Sequence, residues 1–182
     1  MKRTLSITMI VWLFSAAAAH AQTLREVAVV AQAAAHDATA GSPDTQGSAA
    51  AVMSRFNSEI VKSFHKAWYH AGMGNAPIEA VVLIIRNVDG SCKAVLPDPT
   101  HQHYRFRFQW QPGTIAVIHT HPANGKPEPS ATDIDVAERF HVPMFTLTII
   151  GMFLYDPATN VVSRVQPGLD WSIDSKWARY RR

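Results

Sequence analysis

From Ala49 to His70 the run AAAVMSRFNSEIVKSFHKAWYH places Val52, Phe56, Ile60, Phe64 and Trp68 four residues apart, with Arg55, Asn57, Glu59 and Lys62 off that stripe. Apolar residues at this spacing lie along one side of a helix, so the pattern predicts a single amphipathic helix. The period then shortens. After the breaker AGMGNAP, the run IEAVVLIIRNVDG (78–90) is apolar and β-branched and closes on the turn pair Asp89 and Gly90. It predicts a buried strand that starts at a glutamate. In HQHYRFRFQW (101–110), Tyr104, Phe106, Phe108 and Trp110 alternate with His101, His103, Arg105, Arg107 and Gln109, which predicts a strand with one wet face.

Further along, TIAVIHTH (114–121) predicts another buried strand and ATDIDVAERFH (131–141) a helix. PMFTLTIIGMFLYD (143–156) predicts a strand or a tight strand pair broken near Gly151, and NVVSRVQ (160–166) a short edge strand. Helices interspersed with strands in this order predict an α/β class of the α+β type, with a mixed central β-sheet flanked by helices. No internal repeat is present, and residues 49–182 form the expected folded domain.

The first residues have a different character. MKRTLSITMIVWLFSAAAAHAQ carries Lys2 and Arg3 ahead of an apolar run from Leu5 to Ala19, then the small-residue pattern Ala19, His20, Ala21. This predicts a secretory signal peptide over 1–21, and hence export to the periplasm or beyond with no stable membrane insertion after cleavage. Residues 22–36 are rich in Ala and Val and predict a first helix, and HDATAGSPDTQGS (36–48) predicts a flexible linker. Loss of the leader leaves 15 basic against 14 acidic residues, a net +1. That balance argues against a nucleic-acid partner, which needs grouped basic residues. Lys176, Arg179, Arg181 and Arg182 are expected to form a solvated tail. Cys92, the single cysteine, allows no internal disulfide in an exported chain and is expected to be a bystander beside a turn.

The candidate chemistry lies in GTIAVIHTHPANGKPEPSATDIDVAERF (113–140). A strand period of two puts Ile115, Val117, His119 and His121 on one face, so both imidazoles point the same way. Asp133 follows twelve residues after His121 at the start of a predicted helix, where PANGKPEPS can fold it back over the strand end. Two imidazoles and a carboxylate with one open position suit a hydrolytic zinc. Ser130 and Asp133 also have the spacing of a helix capping box. Glu79 heads the list of general bases over Glu59, Glu128 and Glu138. Glu128 sits between Pro127 and Pro129, which hold it extended and direct it outward. His101 and His103 form a second HxH, but no carboxylate loop follows them, and a wet strand face is the expected role.

Taken together, Glu79, His119, His121, Pro122, Ser130 and Asp133 resemble the JAB/MPN (JAMM) metallopeptidases, whose pattern is a strand glutamate, HxHP, then a serine and an aspartate three residues on. The resemblance covers roughly residues 50–165, with one residue more between the second histidine and the aspartate than is usual in the family. It implies a cytidine-deaminase-like architecture in which His119, His121 and Asp133 hold Zn2+. It also implies that Glu79 accepts the proton of the zinc-bound water and passes it to the leaving amine, while Ser130 donates to the oxyanion. The expected activity is hydrolysis of a peptide or isopeptide bond by a bacterial exported member, with a peptide or protein as substrate. A cell-wall cross-link, a secreted protein and a host conjugate are the candidates. A metal-free binding scaffold and a zinc hydrolase of a non-peptide amide are the alternatives.

Overall fold

A computed structural model describes residues 48–98, 103, 104 and 106–181; the expected leader, the 22–48 segment apart from Ser48, and His101 lie outside the described residues. Six strands form one mixed sheet: β1 (Val81–Arg86), β2 (Cys92–Val95), β3 (Thr114–Thr120), β4 (Met144–Thr148), β5 (Gly151–Asp156) and β6 (Val161–Pro167). Their spatial order is β2-β1-β3-β4-β5-β6. Only β3 and β4 run parallel. A parallel pair needs a crossover, here helix α3 (Ala131–Phe140), so the first turn of α3 follows directly on the loop leaving β3.

The expected helix over 49–70 is two helices, α1 (Ala49–Met53) and α2 (Ser58–His70). The break falls at Asn57, whose extended backbone and side chain, accepting from the Ile60 amide at 3.0 Å, cap α2. A side chain that satisfies an orphan helix amide competes with helix continuation, and here it wins. The apolar stripe survives the break, because Val52, Phe56, Ile60, Phe64 and Trp68 are all buried. Phe56 packs edge-on against Phe64, Phe145 and Trp177 with ring centroids 5.2, 5.7 and 4.9 Å apart. This side of the sheet is the larger core.

Lys176, Arg179 and Arg181 are exposed as expected, but the segment that carries them is anchored. Two short 3-10 segments, Asp170–Ser172 and Asp174–Tyr180, bring Trp171 and Trp177 into that core with no exposure. Their indole N–H groups donate to the carbonyls of Thr148 (3.0 Å) and Trp171 (2.9 Å). Arg179 donates to the Val165 carbonyl, and Arg181 to the Phe56 carbonyl while pairing with Asp174. The guanidinium groups thus tie the chain end down.

The opposite face of the sheet holds a smaller core of Val81, Leu83, Ile85, Val117, Met144 and Tyr155 under α3. Ile115 does not share this face as the strict period required; it packs in the larger core, because the β1–β3 register shifts between Ile84 and Ile85. A bulge reverses the facing of residues beyond it. Residues 106–110 are not a strand either. The sheet order β2-β1-β3-β4-β5-β6 does not include this segment. Its aromatic face is nevertheless used: Phe106, Phe108 and Trp110 pack against the smaller core, and Trp110 stacks on Phe140 at 3.9 Å. The short strand β2 around Cys92 was not anticipated. Among the described residues, no helix is long and apolar enough to cross a membrane.

Candidate metal centre

The site forms where the C-terminal end of β3 meets the N-terminus of α3. Val81 of β1 is the cross-strand partner of His119. Two residues upstream on the same side, Glu79 therefore lies towards His121. The pairing is pinned just there: the Thr120 amide donates to the Ala80 carbonyl at 3.0 Å, and the Ala80 amide to the Thr120 hydroxyl at 3.0 Å. His119, His121, Asp133 and Glu79 are all buried.

The donor atoms converge. His119 Nε2 lies 2.9 Å from His121 Nε2, and Asp133 Oδ2 lies 3.4 Å from the first and 3.6 Å from the second. A tetrahedral zinc with ligand bonds of about 2.0–2.2 Å holds its donors about 3.3–3.6 Å apart. The two edges to Asp133 fit that figure, and the His–His edge, at 2.9 Å, is shorter. Among the described residues, His119, His121 and Asp133 are the group of three that could hold a metal ion.

Each donor is aimed by a partner. His121 Nδ1 lies 2.7 Å from the Lys126 carbonyl, an acceptor only, so Nδ1 carries hydrogen and Nε2 presents its lone pair to the centre. The Ser130 amide donates to Asp133 Oδ2 at 2.7 Å, and the Asp133 amide donates to Ser130 Oγ at 3.3 Å, closing the expected capping box. The helix N-terminus also favours the negative charge of Asp133. His119 is covered by Phe106, with ring centroids 4.5 Å apart. Its Nδ1 finds no partner among the described residues.

The Pro-rich loop after His121 is fastened along its length. The Ala123 amide donates to the Gly74 carbonyl at 2.9 Å, Lys126 receives His121, and the Thr146 hydroxyl donates to the Pro127 carbonyl.

Burial pushes the Glu79 carboxyl up from its ordinary value, against the pull of His119 and His121 and with a further push from Asp133. Burial would raise Asp133 too, but the charge on His119 and hydrogen bonds from both histidines and Ser130 hold it far below the carboxylate range. His121 is lowered by burial and raised by Asp133 and the Lys126 carbonyl, and the latter win. A bound dication would supply the positive charge that the imidazoles supply in its place.

Compared with protein-family models, curated proteins and solved structures, the chain matches none. The centre therefore stands on its own geometry.

The rival residues sit elsewhere. Glu59 pairs with Lys62 on the outside of α2 at 2.7 Å. Glu138 accepts from the Tyr155 hydroxyl, and Glu128 is exposed in the loop as its flanking prolines required. His103 is exposed and bridges Ile78 outside any strand. The sequence reading missed Phe106 as a wall of the site. The strict aromatic alternation of 104–110 signalled a face to be buried, but not what it would be buried against.

Proposed function

We propose that this chain is an exported zinc-dependent metallopeptidase of the JAB/MPN type, hydrolysing a peptide or isopeptide bond. The observation that carries this reading is the triangle of His119 Nε2, His121 Nε2 and Asp133 Oδ2, with edges of 2.9, 3.4 and 3.6 Å, on the sheet side that also bears Glu79. Two neutral nitrogens and one carboxylate oxygen leave a tetrahedral ion one open position, the pattern of a catalytic rather than a structural zinc. When bound, zinc supplies Lewis-acid polarisation and acidifies water towards neutral pH.

The protein's own groups do the rest. Glu79, buried beside the histidines, takes a proton from the attacking water and returns it to the departing amine; its raised pKa makes it the better acid for the second half of that exchange. Ser130 Oγ accepts one hydrogen bond from the helix and keeps its own O–H to donate to the oxygen on which charge develops. Phe106 excludes water from the His119 side. The leader-like residues 1–21 support delivery to the periplasm or the outside, where a cell-wall cross-link, a secreted protein or a host conjugate would be the substrate.

A metal-free scaffold on the same fold is the second reading, and the burial of three convergent ligand atoms disfavours it. Elemental analysis of the purified protein separates the two. One zinc per chain, lost in the His119→Ala, His121→Ala double variant, with peptide cleavage abolished in Glu79→Gln, is the expected result. No metal after zinc has been offered would refute the metallopeptidase reading.

A further inference from the structure

Aiming a metal-ligating imidazole takes an acceptor that is itself held in place. For His121 that acceptor is the carbonyl of Lys126, which stands on a loop rather than on a strand or helix. The peptide unit that owns this carbonyl joins Lys126 to Pro127, so its nitrogen carries no hydrogen and cannot be fastened by donation. Such a unit is fixed only through its carbonyl and through the units on either side. Its carbonyl is engaged by the very imidazole it aims, which leaves the neighbours.

Upstream, the Gly125 amide donates to the Pro122 carbonyl at 3.0 Å, a turn internal to the loop. Downstream, the Pro127 carbonyl accepts from the Thr146 hydroxyl, across 19 residues of chain. Among the described residues, this is the hydrogen bond that fastens the 125–129 stretch to a strand of the sheet. Thr146 is fully buried in the middle of β4 and is the register partner of His119 across the parallel pair. Its side chain therefore rises on the face that bears the histidine. A valine would fill the same space without the cost of burying a hydroxyl. The one proton of that hydroxyl goes to the loop.

We propose that Thr146 is a positioning residue for the metal centre: by holding the Pro127 carbonyl it sets the Lys126 carbonyl, and through it the orientation and tautomer of His121. The inference rests on the metal-binding half of the metallopeptidase reading, not on peptide cleavage. His119 is aimed differently, by packing under Phe106, and its Nδ1 has no partner among the described residues. Loss of the Thr146 hydroxyl thus disturbs one ligand of the three, and zinc affinity falls without being abolished.

The test compares the full chain with Thr146→Val, which keeps the volume and removes the hydroxyl, with Thr146→Ser, which keeps the hydroxyl, and with Thr114→Val. Thr114 is also buried and its hydroxyl also donates to a loop carbonyl, that of Gln111 at 2.7 Å, but it stands at the opposite end of β3 from the histidines. Zinc affinity is read by competition with a chromophoric chelator, and the His121 tautomer by nitrogen NMR of the metal-free protein at alkaline pH. Thr146→Val is expected to weaken zinc binding about tenfold and to turn a single Nδ1–H tautomer of His121 into a mixture. Thr146→Ser is expected to match the unaltered chain, and Thr114→Val to lower the Tm while moving neither reading. Affinity and tautomer unchanged in Thr146→Val would overturn the inference. An equal loss of affinity in Thr114→Val would overturn it too, by reducing the effect to general stability. Zinc binding with the expected dependence on Thr146, in a chain that cleaves no peptide, would sink the metallopeptidase reading and leave this inference standing.

Discussion

Zinc and protons compete for the same lone pairs, so the centre predicts how stability depends on pH with and without metal. In the metal-free protein His121 is lowered by burial, yet Asp133 and the Lys126 carbonyl leave it raised above its ordinary 6.5. Zinc binding must displace that proton. Below the raised value, zinc affinity therefore falls about tenfold for each pH unit. Asp133 is held far below its ordinary range and adds no competing proton at weakly acidic pH, so the competition falls on the imidazoles.

The metal-free fold responds in the opposite sense. A raised His121 contributes stability that is full below pH 6.5 and is lost as pH rises through its folded value. Glu79, raised by burial, does the same from 4.5 upward. Asp133, depressed, contributes stability that is present above 3.8 and is lost as pH falls through its folded value. The metal-free Tm is thus expected to peak in the weakly acidic range and to decline towards pH 8. Each tenfold gain in zinc affinity adds about 1.4 kcal/mol at fixed free zinc, or about 3–6 °C in Tm for a chain of this size. Thermal melts from pH 4.5 to 8, with zinc and with chelator, read the difference directly. Far-UV circular dichroism is expected to show the metal-free chain still folded, since the cores on both faces of the sheet do not include the ligands. A zinc-dependent Tm gain that is flat or shrinks between pH 5 and 6.5 would refute this account of the ligands.

Other perturbations separate the roles of neighbouring groups. Glu79→Gln is expected to keep zinc, lose about 10²–10⁴ in kcat, and raise the metal-free Tm at pH 7.5 by removing a buried charge; kinetics and melts check both. Ser130→Ala should cost about 1 kcal/mol through the lost helix cap, whereas Ser130→Thr keeps cap and hydroxyl and should restore both stability and turnover, as urea titration with steady-state assays would show. Phe106→Ala opens His119 to solvent, and faster zinc extraction by a chelator is the expected readout. Phe56→Ala removes a ring buried among three others and should cost about 3–5 kcal/mol in denaturant unfolding, with zinc stoichiometry unchanged.

The ligands were legible in the sequence because their geometry is local. A period of two fixes the facing of His119, and a serine three residues ahead of Asp133 fixes a helix start, whatever the rest of the chain does. The β4–β5 pair and the edge strand β6 were legible for the same reason. What escaped depends on contacts distant in sequence. The stripe from Val52 to Trp68 reads as one helix until Asn57 caps the Ile60 amide. Residues 101–110 read as a strand by their alternation, yet 106–110 form none and their aromatic rings pack on the smaller core instead. Trp177 follows neither period, and its place beside Phe56 and Phe64 accounts for its burial.

The same division explains how the centre is assembled. A parallel β3–β4 pair obliges the crossover helix to begin at the end of β3 where the histidines stand, so topology brings strand and helix donors together. Backbone partners then hold three of the four key side groups: Lys126 for His121, Ser130 for Asp133, and the Ala80–Thr120 pair for the segment carrying Glu79. A site aimed by its backbone is preorganised.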